Sequence, residues 1–448
     1  MKIAVVGAGY VGLTAGACLS DFGHDVSVAE SDTIKLERLR RGDVSFFEPG
    51  LQDLVRHNAL AGRLHFREAA REVAAGAEVV LVCVGTPADE DGRADLRQVI
   101  AAVAEVGAAE LARGVVVALR STVPVGTTDR ARSILREASG HDVSTCFNPE
   151  FMKEGEAVRD FARPDRVVVG VVGDDNHARS VMGRLYAPHV RTDGRVLYMS
   201  ARSAELVKYA SNAMLATRIS MMCEVANLCD VVGASVDDVR RGVGADARIG
   251  DAFLYAGVGW GGSCFEKDVR ALLGMAQDVG APTPLVAEAA LLANRRQRRL
   301  FSAAIRGLGG VDGDLRGRVV AVWGLAFKPG TSDVRGAPSL DVILDLVAAG
   351  ARVRAYDPEA TDAARAALGA SAPLVDFVDD PYEAAAGAHA LALVTEWRAL
   401  RNPDFARLRR VMAGSSPTLF DGRNVWNVAA ARAAGLAYRG VGRGEAAR

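Results

Sequence analysis

Short apolar runs alternate with amphipathic stretches through the first part of the chain. Residues 3–6, 26–29, 79–84, 115–119 and 167–171 are β-branched and aliphatic runs of strand length, separated by stretches of helical period such as 96–111. Runs that are apolar on both faces suit a parallel sheet with helices packed on each side. They predict a doubly wound α/β domain over residues 1–200. Residues 201–232 contain no proline or glycine and are rich in Ala, Leu, Met and Glu. They predict one long helix, continued by further helical sequence to residue 299. Its apolar positions exceed one core-facing stripe, so residues 201–300 are expected to form a helical dimerisation region. After a glycine-rich stretch at 307–317 the alternation resumes, with strands expected at 318–323, 353–356 and 391–395 and a helix at 339–349. A second doubly wound domain is predicted over residues 315–440, with the end of the chain, 440–448, frayed. No internal repeat or low-complexity tract points to a solenoid.

The length of 448 residues, half of them hydrophobic, is too great for one ordinary core and agrees with this division. Fifty-four basic against fifty-five acidic residues leave a net charge of -1, which gives no reason to expect nucleic acid or an anionic membrane as partner. An anionic ligand has to be met by local arginines and lysines. The first residues run straight into a glycine turn without the regions of a signal peptide. No apolar run reaches the length of a membrane helix, so a cytoplasmic location is expected. The six cysteines, at 18, 83, 146, 223, 229 and 264, show no C-x-x-C spacing, and neither disulfides nor a metal site is expected. Five sit in apolar stretches and read as small buried hydrophobes. Cys264, in Gly259-Trp260-Gly261-Gly262-Ser263-Cys264, has no packing pattern to explain it.

Candidate chemistry sharpens the picture. Gly7-Ala8-Gly9-Tyr10-Val11-Gly12 follows a strand and opens a helix, and Glu30 ends the next strand. In such a turn the first glycine allows the tight bend, the second lets backbone approach a pyrophosphate, and the third lets helix and strand pack. Glu30 would accept a hydrogen bond from the adenosine ribose 2′-hydroxyl and repel a 2′-phosphate, which favours NAD over NADP. The second domain has no such fingerprint. Its turn, Gly324-Leu325-Ala326-Phe327-Lys328-Pro329-Gly330, better suits phosphates held by cationic side chains, and Arg335 and Arg423 lie in later glycine-bearing turns. Asn148-Pro149-Glu150-Phe151-Met152-Lys153-Glu154 reads as a capped helix start with two glutamates on one face. Those acids either suit the first turn or activate a water. Lys208 and Asn212, four apart in the long helix, are either a solvated face or an ammonium and amide that stabilise an oxyanion. Cys264 precedes a helix expected to run to about Met275, where free N–H groups and the positive dipole end favour thiolate, with Asp268 one turn later. Beside a nicotinamide, such a sulfur would capture an aldehyde as a thiohemiacetal, which a second hydride loss converts to a thioester.

Taken with Phe47-Glu48-Pro49-Gly50-Leu51, Val84-Gly85-Thr86-Pro87 and Ser121-Thr122-Val123-Pro124-Val125-Gly126, these motifs and their order resemble the UDP-glucose/GDP-mannose dehydrogenase family over essentially the whole chain. The resemblance implies two Rossmann-like doubly wound domains joined by a long central helix, a homodimer or larger homo-oligomer, and a reaction using two NAD and one water per sugar. It makes Cys264 the nucleophile. Lys208, Asn212 and Asp268 match residues that position a catalytic water and stabilise charge, and Thr122, Glu150 and Glu154 match those beside the nicotinamide and the hydrolytic water. Lys35, Thr86 and Arg335 fall where the family contacts NAD. Phe253, Trp260, Lys328 and Arg423 match sugar-nucleotide positions, with Glu150, Phe151, Lys208, Tyr255, Gly261 and Phe327 in the same expected surface. Arg248 matches an arginine that reaches a neighbouring subunit's site. Arg248-Ile249-Gly250 with Gly261-Gly262-Ser263-Cys264-Phe265 is more similar to the UDP-glucose branch than to the GDP-mannose branch. The chain departs from the family pattern at three positions: Glu30 replaces an aspartate, Trp260 a smaller aromatic, and Glu266 a proline. An inward-pointing Glu266 would raise the thiol pKa. Three alternatives stand beside this reading: the same chemistry on another nucleotide sugar (a UDP-N-acetylhexosamine or GDP-mannose), a two-electron hydroxy-acid dehydrogenase, and a sensor that binds without turnover.

Overall fold

The computed structural model describes residues 1–188 and 195–443. The chain divides into two compact units, Met1–Ser211 with Arg270–Thr283, and Asn212–Val269 with Pro284–Arg448.

The first unit is built on an eight-stranded sheet of β1 (Lys2–Val6), β2 (Asp25–Ala29), β3 (Leu64–Arg67), β4 (Val79–Val82), β5 (Val116–Leu119), β6 (Ser144–Phe147), β7 (Val167–Val171) and β8 (Val196–Ser200). The strand order is β3-β2-β1-β4-β5-β6-β7-β8. Within it the first six strands are parallel and reverse order between β1 and β4, the crevice where doubly wound sheets bind ligands. Alternate residues feed two cores: Ile3, Val5, Val26, Val28, Val79 and Leu81 on one face, Ala4, Val6, Val80, Val82, Val117 and Leu119 on the other.

The expectation of a parallel sheet holds only as far as β6. β7 runs antiparallel to it, with Phe147 opposite Gly170, and β8 is parallel to β7. Between β6 and β7 the chain runs through the non-helical residues 148–156 and the six-residue helix Ala157–Ala162. The connection turns at the C-terminal end of β6. The expected helix start at Asn148 is also corrected: residues 148–156 are non-helical. The Glu150 carboxylate accepts the Met152 N–H at 2.6 Å, and Gly155 takes a left-handed φ of 81°, so the local donors serve a turn instead of a helix.

The long helix is Ala201–Val232, as expected. Its Glu205 is fully buried and caps the helix Thr127–Ser139 from outside, accepting the N–H groups of Gly126 (2.7 Å) and Thr128 (2.8 Å) and the Thr128 hydroxyl (2.6 Å). Helical sequence does not continue unbroken to residue 299. Val236–Gly244, Phe265–Asp278 and Leu285–Arg306 are separate helices, and residues 245–264 form a glycine-bearing loop.

In the second unit β9 (Val319–Trp323), β10 (Arg352–Tyr356), β11 (Val375–Phe377), β12 (Ala390–Leu393), β13 (Thr418–Asp421) and β14 (Ala437–Gly440) form a wholly parallel sheet in the order β11-β10-β9-β12-β13-β14. This repeats the order of the first six strands of the other sheet. The turn after β9 is filled from within: one Asp357 oxygen accepts the Leu325 N–H (2.6 Å), the Ala326 N–H (3.1 Å) and the Trp397 indole N–H (2.9 Å). The other accepts the N–H groups of Glu359 and Ala360. Residues 440–443 are not frayed. The Val236 N–H reaches the Gly442 carbonyl at 2.7 Å, the Gly442 N–H reaches Asp230 at 3.0 Å, and Arg443 pairs with Asp237. Residues 444–448 lie outside the described residues. Among the described residues no helix is long and apolar enough to cross a membrane.

Candidate active site

The glycine turn meets the demands of a pyrophosphate cradle. Gly7 has a φ of 99°, and a Cβ on Gly12 would stand 1.9 Å from the Gly7 carbonyl oxygen, so a side chain there would break the helix–strand contact. A Cβ on Gly9 would meet nothing within 4 Å, which leaves backbone approach open. Gly9 caps the helix Tyr10–Asp21 without a side-chain hydrogen bond, and Val11 packs on the first core. Glu30, just past β2, binds Lys35 Nζ at 2.6 Å and accepts the Asp32 N–H at 3.1 Å. Lys35 thus stands beside the acid that follows β2. These groups fit NAD, and Thr86 and Thr122 sit on the loops leaving β4 and β5, Thr86 buried and Thr122 half-buried.

Glu150 and Lys208 meet in the first unit. Lys208 Nζ donates to the Glu150 carboxylate and to its backbone carbonyl, both at 2.8 Å, and both side chains are buried. Burial pushes the Glu150 carboxyl up, but the Lys208 charge and hydrogen bond, the Met152 N–H and the Arg120 charge outweigh it and hold the group below its ordinary range. Phe151 lies 5.4 Å from Lys208 Nζ and stacks under the Arg166 guanidinium at 3.8 Å. Behind them Arg120 is buried, donating to Asn148 at 2.8 Å and the Tyr186 hydroxyl at 2.9 Å. Arg120 and Arg166 escape sequence reasoning because nothing in a lone arginine names its partners, which for Arg120 lie 28 and 66 residues away.

In the second unit Cys264 is exposed whereas the other five cysteines are buried. Its carbonyl accepts the Asp268 N–H at 2.8 Å, the first bond of the helix Phe265–Asp278, so the sulfur stands at the helix N-terminus. Asp268 is 1 % exposed and is held by the Asn212 amide at 2.6 Å and by Lys267 Nζ at 2.5 Å. The reading of Lys208 and Asn212 as a solvated face is therefore set aside, since both are buried. Glu266 turns to Arg295 at 3.5 Å, which offsets its charge beside the cysteine.

The loop before Cys264 is clamped by backbone contact. A Cβ on Gly261 would meet the Gly336 carbonyl oxygen at 2.4 Å, and one on Gly262, at φ 94°, would meet the Phe327 ring at 2.8 Å. Trp260 is buried, donates its indole N–H to Ser220 at 2.9 Å, and has its carbonyl taken by Arg298 at 2.5 Å and Asn294 at 3.0 Å. Its ring belongs to the interior. Arg423 Nε reaches the Val394 carbonyl at 2.6 Å and Glu396 at 3.2 Å, and its terminal nitrogens reach the carbonyls of Gly259 and Phe327. Lys328 Nζ is 5.4 Å from the Phe327 ring centre. Arg335 forms a forked pair with Asp333, and exposed Arg248 does the same with Asp246. Phe253 takes a φ of 61°, rare for a side-chain-bearing residue, while Tyr255 is exposed under Arg240.

An open dinucleotide turn in one unit, and in the other the same strand order with its turn occupied by Asp357, define an α/β oxidoreductase that binds its dinucleotide in the N-terminal unit. Three family profiles tile the chain: the NAD binding domain of the UDP-glucose/GDP-mannose dehydrogenase family over residues 1–190, its central domain over 202–296 and its UDP binding domain over 321–428. The chain belongs to this family, and its cofactor is NAD. It is 45% identical over 445 residues to a UDP-glucose 6-dehydrogenase of Rhizobium meliloti (strain 1021), covering 99% of this chain and 100% of that one. A protein of the same name from Pseudomonas aeruginosa is 46% identical over 450 residues, covering 99% and 98%. Among solved structures, a UDP-glucose dehydrogenase from Pyrobaculum islandicum superposes with a TM-score of 0.87 at 37% identity, over 98% of this chain and 97% of that one.

Proposed function

We propose that the chain oxidises the C6 alcohol of UDP-glucose to the carboxylate of UDP-glucuronate, with Cys264 carrying the intermediate. The observation that carries the reading is the exposed sulfur at a helix N-terminus beside a buried Asn212–Asp268 pair. Relatives at 45% and 46% identity that bear the name UDP-glucose 6-dehydrogenase support the substrate. Bound NAD accepts a hydride in each of the two oxidations. The first converts alcohol to aldehyde and releases a proton. The Cys264 thiolate then adds to the aldehyde carbon, and Lys208 and Asn212 stabilise the oxygen charge that develops. Loss of the second hydride leaves a thioester, and a water held by Asp268 or Glu150 adds to it and expels the thiolate. In sum, one alcohol, two NAD⁺ and one water give one carboxylate, two NADH and three protons. Glu154 and Thr122 are assigned beside the nicotinamide, and Phe253, Lys328 and Arg423 to the nucleotide sugar.

The test is the count of NADH per sugar, run on UDP-glucose, a UDP-N-acetylhexosamine and GDP-mannose. Two NADH from UDP-glucose, with slower turnover of the others, is expected. One NADH per substrate would mean a two-electron dehydrogenase, and tight binding with no NADH a sensor.

We also infer a homodimer or larger homo-oligomer, in which Arg248 serves a neighbouring site. Met214, Met221 and Leu228 recur every seven residues along the long helix at 63%, 58% and 61% exposure, with Val231 and Val232 also exposed. An exposed apolar row of this kind favours a partner helix.

A further inference from the structure

The segment joining β6 to β7 carries Glu150 and Glu154, and its far end is tied to the dinucleotide turn by a residue with no part in the chemistry above. Glu48, in the loop before the helix Leu51–Leu60, is 5% exposed. One of its oxygens accepts both the Tyr10 hydroxyl and the Gly155 N–H, the latter at 2.6 Å. The other accepts the Ala157 N–H at 2.8 Å. The Gly155 N–H also reaches the Tyr10 oxygen at 2.9 Å, closing a three-membered joint. Tyr10 is the first residue of the helix that leaves the dinucleotide turn, the end suited to a bound anion. Burial, then the hydrogen bond and charge of Glu48, push the Tyr10 hydroxyl far up, so it stays a donor at every working pH. Glu154 adds its charge to the same effect, which puts its carboxylate within electrostatic reach of Tyr10. These partners of the Glu48 carboxylate are all neutral donors. A buried carboxylate held this way is costly once any donor moves, so the joint resists being pulled apart.

We propose that Glu48 is a positioning residue: through Tyr10 and Gly155 it fixes the segment bearing Glu150 and Glu154 relative to the dinucleotide turn. The inference rests on the proposed function, in which both acids serve the oxidation. Glu48→Gln keeps the shape but can no longer accept on both sides, and Tyr10→Phe removes the shared hydroxyl while leaving Gly155 on Glu48. A small displacement of catalytic groups costs up to about a hundredfold in rate. The expected result is a loss of kcat of about tenfold or more in Glu48→Gln and about threefold in Tyr10→Phe, with NAD affinity kept within about threefold in both. The double variant should be no slower than Glu48→Gln, because both side chains act through one joint. A kcat unchanged in Glu48→Gln, a loss of kcat matched by an equal loss of NAD affinity, or losses that multiply in the double variant would each overturn the proposal. If Glu48→Gln does not fold, Tyr10→Phe decides alone, by whether kcat falls while NAD binding holds. The wild-type count of NADH per sugar judges the reaction itself, so the two readings can fail separately.

Discussion

Replacing Lys208 by methionine keeps a long unbranched chain over Phe151 but removes the charge that Glu150 relies on. In the native protein Nζ makes two bonds to Glu150 at 2.8 Å, and both side chains are buried. Breaking one side of a buried pair costs about 3–5 kcal/mol, mostly because the remaining charge is left without compensation. The Met152 N–H at 2.6 Å and the Arg120 charge remain, which places the expected loss near the lower end, about 3 kcal/mol at neutral pH. The pH dependence carries the sign. In the wild type the folded Glu150 carboxyl lies below its unfolded value, so its contribution is complete above the unfolded pKa and is lost as pH falls through the folded one. In Lys208→Met burial is far less opposed and the folded pKa moves above the unfolded value. The variant then loses stability as pH rises through that raised pKa. The gap between the two proteins should therefore widen from about pH 4 to about pH 7. Adding Glu150→Gln should recover all but about 1–2 kcal/mol, since a neutral amide has no charge to strand. Calorimetric melting of the three proteins across this range measures both effects. Equal losses in the single and double variants at neutral pH, or a gap that does not widen, would refute the reasoning.

Cys264→Ser should lose steady-state turnover by about a thousandfold or more, because an oxygen nucleophile without thiolate character adds and leaves poorly, yet it can leave a covalent adduct visible by mass spectrometry. Cys264→Ala should bind both ligands and show no adduct; near wild-type carboxylate formation would make the residue structural. Glu30→Ala should weaken NAD by about 1–3 kcal/mol and narrow the preference over NADP, measured by kcat/KM for the two cofactors. A native preference for NADP would contradict the role given to Glu30. Mixing inactive Arg248→Ala and Cys264→Ala proteins should restore some activity through hybrid assemblies, and a monomer in sedimentation at working concentration would end that idea.

The strands at 3–6, 26–29 and 79–84 and the long helix were readable because burial on both faces, or an unbroken helix-forming run, leaves a pattern within one window of sequence. Strands β3, β6, β8, β11, β13 and β14 escaped, since five of them mix polar residues into four or five positions and Val375–Phe377 has only three positions to show a period. The reversal at β7 depends on the path taken by residues 148–166, which composition does not state. Among site residues, Cys264 stood out because glycines around it removed any packing explanation, and Asp268 followed from helical spacing. Glu48 lay in a recognised motif without showing its task. Its partners Tyr10 and Gly155 are 38 and 107 residues distant, and only the folded chain brings them to one carboxylate. Glu205 and Asp357 were hidden for the same reason: each satisfies backbone N–H groups of a distant turn.

Asp357 has a consequence for traffic through the enzyme. Its position after β10 is the counterpart of Glu30 after β2, but Glu30 is drawn aside by Lys35 whereas Asp357 folds inward onto the amides of the turn after β9. The turn of the second sheet is thus satisfied from within, and the dinucleotide falls to the N-terminal unit. Under the proposed reaction, two hydrides have to be handed to two cofactor molecules that visit the same place in turn. The half-oxidised sugar must wait while the spent cofactor departs and a fresh one arrives. A reactive aldehyde that waits can be lost to solvent, and a covalent hold on sulfur is one way to keep it aboard during the exchange.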